Sequence, residues 1–105
     1  METSIVAKAA DHPRVAGDAA LLLARGSASV MYYVPRGTDT QQPHEQDELY
    51  IVDRGSGWFV TPDGRVQVGP GDAIFIAARA VHRFEDFSDD FGTWVVFYGP
   101  KGGEQ

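Results

Sequence analysis

Short apolar segments alternate with turns along most of the chain. Segments of four to six residues lie at 29–34, 48–52, 58–61, 65–68, 73–76, 82–85 and 93–98. Several of them alternate apolar and polar residues, which is typical of half-buried strands. No convincing long helix interrupts them, so the pattern predicts an all-β barrel or sandwich. Residues 19–25 fit either a helical turn or a buried strand, because periodicity cannot distinguish the two over so short a run.

Glycine and proline mark the turns between these segments. Pro62-Asp63-Gly64 predicts a hairpin turn, because proline and glycine supply the backbone angles that such turns need. Gly55-Ser56-Gly57 is likewise predicted to be a hairpin turn between 48–52 and 58–61. Residues 38–43 are polar and are expected at the surface or at a rim. Residues 1–18 are polar and irregular.

Composition and charge exclude several classes of function. The chain has 105 residues, enough for one domain with a modest core, which predicts a single domain over 1–105. Its net charge of −6 and scattered basic residues predict no binding to nucleic acid or to anionic membranes. It has no cysteine, which removes disulfides and thiolate chemistry. No apolar run is long enough to span a membrane, so a cytoplasmic protein is expected.

Two histidines and a glutamate are the candidate chemical groups. His44 and Glu48 are close in sequence, and His82 comes from a separate predicted strand. Residues two apart in an extended strand face the same side, so Gln42 and His44 are expected to point into the barrel together. The same rule turns Tyr50 and Val52 inward with Glu48, and Phe84 inward with His82. These side chains would form a largely apolar pocket.

The spacing of these residues resembles the two sequence motifs of the cupin superfamily. The first motif spans about 42–57, where Gln42 and His44 fill the paired-histidine positions, Glu48 follows, and Gly55 closes it. The second motif spans about 71–86, and its Gly71 and His82 fit the family pattern. At three further positions of this motif the residue types depart from that pattern: Ala77, Arg79 and Asp86. The resemblance implies a jelly-roll barrel, also called a double-stranded β-helix, with little or no helix.

The departures affect both motifs. Gln42 stands where the family usually has its first histidine, and an amide oxygen binds a metal ion more weakly than imidazole does. Gln46, also two residues from His44, is the alternative for this fourth place, although Gln42 occupies the position of the motif itself. Arg79 and Asp86 replace a glycine and an asparagine that serve turns, so they are expected to change loop conformation more than chemistry.

The resemblance implies a divalent metal ion, with Fe, Mn, Ni and Zn all open, held by His44, Glu48 and His82 and completed by Gln42. It suggests a metal-dependent dioxygenase or isomerase acting on a small molecule in the barrel, with Tyr50 as a candidate proton relay. The alternatives are a non-catalytic binding or sensor module, and a metal-free barrel that is only hydrogen-bonded inside or that acts through His82 and Tyr50. The family resemblance also suggests a homodimer, in which an N-terminal strand within 1–34 pairs with the sheet of the second copy.

Overall fold

The structure, a computed structural model, describes Thr3, residues 19–39 and residues 41–104. This part of the chain contains strands and no helix, and therefore no helix that could cross a membrane. The strands are β1 Ala19–Arg25, β2 Ala28–Tyr33, β3 Asp47–Arg54, β4 Gly57–Thr61, β5 Gly64–Val68, β6 Ala73–Ile76, β7 Arg83–Glu85 and β8 Gly92–Tyr98. The ambiguous segment 19–25 is a strand, because a tight turn lets it pair antiparallel with β2. Apart from Thr3, the irregular segment predicted at 1–18 lies outside the described residues.

Two antiparallel sheets face each other. One has the strand order β1-β2-β8-β3-β6 and the other the order β5-β4-β7. The core lies between them, since side chains of both sheets form one buried cluster. Its members are Tyr50, Val52, Val68, Ile76, Phe84, Phe91 and Val95. The predicted all-β jelly-roll barrel is confirmed.

The segment Gly55-Ser56-Gly57 connects the two sheets, and its prediction as a hairpin turn is wrong. Strand β3 pairs with β6 on one side and β8 on the other, so it has no free edge for β4. Strand β4 instead pairs with β5 and β7 in the second sheet. Gly55 has a φ of 78°, and a Cβ atom there would lie 2.6 Å from the Cα atom of Phe91. Glycine is therefore required where the chain crosses.

The inward and outward faces of β3 follow the predicted alternation. Glu48, Tyr50 and Val52 are each at most 1% exposed, whereas Ile51 between the last two is 39% exposed. Phe84 on β7 and His82 just before that strand are also buried. The period of two therefore places the candidate ligands Glu48 and His82 inside the barrel.

Two residues of the second motif adopt left-handed backbone conformations. Arg79 has a φ of 68° and Asp86 a φ of 48°, and no other non-glycine residue in the described ranges has a positive φ. Both stand where the resembled motif carries glycine or asparagine, the residues that tolerate this conformation best. Arg79 and Asp86 thus adopt a conformation that glycine and asparagine tolerate better, and the expected change of loop conformation stays a prediction.

Strand β1 lies at an edge of the five-stranded sheet, and its Leu21 is 61% exposed. A homodimer that pairs an N-terminal strand with a second copy stays a prediction.

Candidate metal centre

The structure brings His44, Glu48 and His82 together. One ligand atom from each of them lies within 4.8 Å of the other two. Glu48 is near the start of β3, His82 immediately precedes β7, and His44 lies in the loop before β3. That loop is fixed because the Arg79 backbone N–H donates to the His44 carbonyl at 2.6 Å. The stretch that carries His44 and Glu48 and the remote residue His82 therefore converge inside the barrel.

Aromatic side chains hold both imidazole rings in place. Phe97 of β8 makes an edge contact with His44, with ring centroids 4.7 Å apart. Phe59 of β4 stacks on His82, with centroids 6.2 Å apart and an angle of 26° between the ring planes. Such contacts limit ring rotation, so each histidine presents its nitrogen atoms in a defined direction.

The hydrogen bonds of His82 decide which of its nitrogens is available. Nδ1 lies 2.8 Å from the Ala80 carbonyl oxygen, which can only accept, so Nδ1 carries a proton. In the neutral ring Nε2 then carries a lone pair. The Nε2 atom lies 3.2 Å from Oε1 of Glu48 and 3.2 Å from Oη of Tyr50. Burial lowers the pKa of His82, but the Glu48 carboxylate, which a protonated Nε2 would face, and the Ala80 carbonyl together raise it above its ordinary value.

Glu48 is a buried carboxylate whose oxygens have no hydrogen-bond donor. Its side chain is 1% exposed, and neither oxygen accepts a hydrogen bond from any residue that the structure describes. With a neutral His82 the 3.2 Å contact joins two lone pairs, which repel each other unless a metal ion lies between them or Nε2 takes up a proton and forms an ion pair with Glu48. An unsatisfied buried carboxylate is costly, so this arrangement fits a positive ion at the centre.

The preceding residue, Asp47, is bonded quite differently. Its Oδ1 accepts the Ala78 backbone N–H at 2.9 Å, and its Oδ2 accepts the Glu104 backbone N–H at 3.0 Å. These two bonds lower the pKa of Asp47 below its ordinary value, the bond from Glu104 contributing most. Asp47 thus joins the start of β3 to two other parts of the chain and takes no part in the centre.

The predicted fourth ligand, Gln42, is exposed. Its neighbour Gln41 is half-buried instead, and its Oε1 accepts the hydroxyl of Tyr50 at 2.9 Å. The alternative Gln46 points elsewhere, because its amide nitrogen donates to the carbonyls of Ser27 and Gly99. Gln42 as a ligand stays a prediction.

The sequence pattern did not indicate the hydrogen-bonding roles of Gln41 and Asp39. Thr38, Gln42 and Pro43 are exposed as expected, but Asp39 is only 4% exposed. Its carboxylate accepts the backbone N–H of Phe84 at 2.8 Å, the Tyr33 hydroxyl at 3.0 Å, and both the backbone and side-chain nitrogens of Gln41. Burial, with the Asp39 charge second, raises the pKa of Tyr33. A single aspartate in a polar stretch gives no sequence signal of this role.

Tyr50 is fully buried beside the centre. Burial, followed by the charge of Glu48, raises the pKa of its hydroxyl far above the ordinary value. The side chain is therefore a neutral phenol near pH 7, and its role as a proton relay stays a prediction.

An apolar cavity of about 150 Å³ opens beside His44. It is lined by Met31, Tyr33, Gln41, His44, Val95 and Phe97. A cavity of about 150 Å³ can accommodate a molecule the size of benzene. His44, one of the three candidate ligands, thus lies next to a space suited to a small, mainly apolar molecule.

Comparison with known proteins agrees with this architecture. Residues 29–98 match the cupin domain family. An uncharacterised protein of Streptomyces coelicolor is 36% identical over 92 residues, which cover 84% of this chain and 88% of that protein.

Solved structures show the same fold. A cupin superfamily protein of Desulfitobacterium hafniense DCB-2 has a TM-score of 0.72 at 13% identity, covering 95% of this chain and 94% of that one. A Ralstonia eutropha JMP134 protein, provisionally described as a mannose-6-phosphate isomerase, has a TM-score of 0.72 at 22% identity and covers 95% of this chain and 100% of that one. At these identities the structures support the fold alone. The family match over residues 29–98, about two thirds of the chain, shows that the chain belongs to the cupin family.

Proposed function

We propose that this protein binds a divalent metal ion through His44, Glu48 and His82 and acts on a small molecule held in the adjoining cavity. The observation that carries the proposal is the buried Glu48 carboxylate, whose oxygens have no hydrogen-bond partner among the described residues and which lies 3.2 Å from Nε2 of His82. Burying an isolated carboxylate costs several kcal/mol, on the order of what a directly bound cation offsets.

The donor set also limits which ions fit. Two imidazole nitrogens and one carboxylate leave open positions on an ion, and Fe, Mn, Ni and Zn all accept this combination. When bound, such an ion supplies Lewis acidity toward a carbonyl or enol oxygen, or, as Fe(II), reactivity toward oxygen. A dioxygenase or an isomerase is therefore the proposed class of enzyme.

The residues of the chain determine how a substrate would lie. Met31, Val95 and Phe97 give the cavity an apolar wall, which would bind the hydrocarbon part of the molecule and exclude water. His44 borders both the cavity and the ligand group, so the polar end of the molecule would face His44. A small molecule with an apolar body and a carbonyl or enol group fits this arrangement best.

The first experiment measures metal binding. Metal-free protein is titrated with Fe(II), Mn(II), Ni(II) and Zn(II), and the unfolding temperature is followed with and without metal. We expect binding of one ion per chain and a rise in the unfolding temperature, because binding to the native state stabilises it. His82→Ala and Glu48→Gln should abolish both effects.

His12→Ala is the matched control, since His12 is the remaining histidine of the sequence. It should bind metal like the wild type. If the wild type binds none of the four ions, or if His82→Ala binds them as well as the wild type, the proposed metal centre is wrong.

The second experiment asks whether the centre is catalytic. Fe(II)-loaded protein is tested for oxygen consumption with small diketones and diols, and the Zn(II)- and Mn(II)-loaded forms for isomerisation of small hydroxyketones. Turnover that Glu48→Gln abolishes supports the enzyme. Stoichiometric metal with no turnover of any of these compounds supports the non-catalytic binding module instead.

A further inference from the structure

We infer that the hydroxyl oxygen of Tyr50 is a fourth donor atom toward the ion, and that Gln41, held by Asp39, is the residue that turns the hydroxyl proton away from the centre. The inference rests on the metal-binding function proposed above. It gives Gln41 and Tyr50 roles in metal binding beside the ligands His44, Glu48 and His82.

The hydrogen bonds of Gln41 fix the orientation of its side-chain amide. The Asp39 carboxylate can only accept, so it must face the amide nitrogen of Gln41, which lies 2.9 Å away. The backbone N–H of Gln41 donates to the same carboxylate at 3.2 Å and fixes the residue further. The amide oxygen therefore points the other way, toward the hydroxyl of Tyr50 at 2.9 Å.

The Tyr50 hydroxyl has a single proton, which it can donate to only one partner. A carbonyl oxygen can only accept, so the contact with Gln41 requires Tyr50 to donate its proton there. The oxygen then presents lone pairs on its remaining side, where His82 Nε2 lies 3.2 Å away. When His82 is neutral, its proton is on Nδ1, and this contact too joins two lone pairs that a metal ion can occupy together.

The distances between the candidate donor atoms also match those around a metal ion. Donor atoms bonded at about 2.1 Å to one ion lie about 3.0 Å apart at right angles and about 3.4 Å apart at the tetrahedral angle. The distance from Tyr50 Oη to His82 Nε2 and the distance from Glu48 Oε1 to His82 Nε2 are both 3.2 Å. The Tyr50 oxygen therefore has the spacing of a ligand, whereas the predicted fourth ligand Gln42 is exposed.

Two variants and two matched controls test the inference. Tyr50→Phe removes the oxygen and keeps the ring, and Gln41→Met removes both side-chain hydrogen bonds at similar length. Tyr98→Phe deletes a hydroxyl from a half-buried tyrosine on β8, and Gln67→Met makes the same exchange at an exposed position on β5. Each metal-free protein is titrated with Co(II), and affinity and the visible absorption of bound Co(II) are recorded.

We expect Tyr50→Phe and Gln41→Met each to weaken Co(II) binding about 10-fold or more, as changes at residues that ligate or orient ligands do. Both should alter the Co(II) absorption bands in the same direction, since those bands report coordination geometry. The two controls should match the wild type. The unfolding temperature of each metal-free variant identifies a variant that fails to fold, and Gln41→Met then still tests the inference.

The outcomes separate this inference from the proposed function. If the wild type binds Co(II) and Glu48→Gln does not, but Tyr50→Phe and Gln41→Met keep the wild-type affinity and spectrum, the metal centre stands and the role of Tyr50 is wrong. Loss of affinity in Gln42→Ala with no change in Tyr50→Phe would also overturn the inference and assign the fourth position to Gln42. No Co(II) binding by the wild type would overturn both.

Discussion

Asp47 and Glu48 are adjacent buried carboxylates with opposite surroundings. Each oxygen of Asp47 accepts a backbone N–H, from Ala78 or from Glu104. Neither oxygen of Glu48 accepts a hydrogen bond from the described residues. Because successive residues of a strand face opposite sides, one carboxylate meets loop backbone and the other meets the interior of the barrel.

The difference separates a structural role from a chemical one. The two bonds to Asp47 satisfy one site on each of its oxygens and join parts of the chain, so its charge is already stabilised. The charge of Glu48 has no backbone donor and is compensated by the protein only when His82 is protonated, so its burial lowers the stability of the metal-free fold. Natural proteins keep such an unfavourable group chiefly where function requires it, so the comparison locates the site independently of any motif.

Glu48→Gln should have the largest effect on this comparison. A neutral amide removes the buried charge, and its NH₂ group can donate to His82 Nε2. We expect metal affinity to fall at least about 100-fold and the metal-free free energy of unfolding to rise by about 2 kcal/mol. Calorimetric metal titration and urea unfolding of metal-free protein measure the two. A metal-free variant less stable than the wild type would contradict our view of Glu48.

Asp47→Asn should have the opposite effect on the fold. The asparagine NH₂ group cannot accept, so one backbone N–H loses its partner, and the unfolding temperature at pH 7 should fall by a few degrees.

The pH dependence gives a second readout of Asp47. Its pKa is lowered from the ordinary value of 3.8, so its contribution to stability is present above that value and is lost as the pH falls below it. The wild type should therefore lose more stability than Asp47→Asn between pH 5 and acid, as measured by thermal unfolding across pH. Equal losses would show that the two bonds from Ala78 and Glu104 do not stabilise the charge.

Arg79→Gly should stabilise the fold without changing the centre. Glycine relieves the left-handed φ of 68°, and it keeps the backbone N–H that donates to the His44 carbonyl. The gain should be about 1 kcal/mol, with unchanged metal affinity. Arg79→Lys is the control, because lysine keeps both the charge and the strain. A loss of stability in the glycine variant would mean that the arginine side chain contributes more than the strain costs.

Glu45→Gln should have the smallest effect. It removes the 2.9 Å ion pair with Arg79, whose partners are both more than half exposed. Exposed pairs contribute about 0.5 kcal/mol or less. Urea unfolding at low and high salt should show little difference from the wild type, and a large loss would assign the pair a role in holding the His44 loop.

The sequence predicted the parts of the centre that regular strands position. Glu48 and Tyr50 follow the alternation of β3, and His82 comes just before β7, so a period of two was enough to turn them inward. The same rule failed for Gln42, because β3 begins only at Asp47 and the residues before it form a loop. In a loop, parity has no meaning, and the side chain that reaches Tyr50 is that of Gln41.

The sequence also could not predict which strands pair when they are far apart in the chain. Gly55-Ser56-Gly57 has the composition of a hairpin turn, but the edges of β3 are occupied by strands that come later in the chain. Local turn signals cannot show which strand will take an edge. Asp39 was missed for a similar reason, since its backbone partner Phe84 comes from a distant segment.

The tail that follows β8 has a practical consequence for work on this protein. Glu104 donates to Asp47, and the Gly102 backbone N–H donates to the Glu45 carbonyl at 2.7 Å, so residues 102–104 brace the loop that carries His44. A shortened variant that lacks these residues would loosen the entrance to β3 from outside the barrel. An affinity tag joined through a long spacer after Gln105 would leave that brace intact.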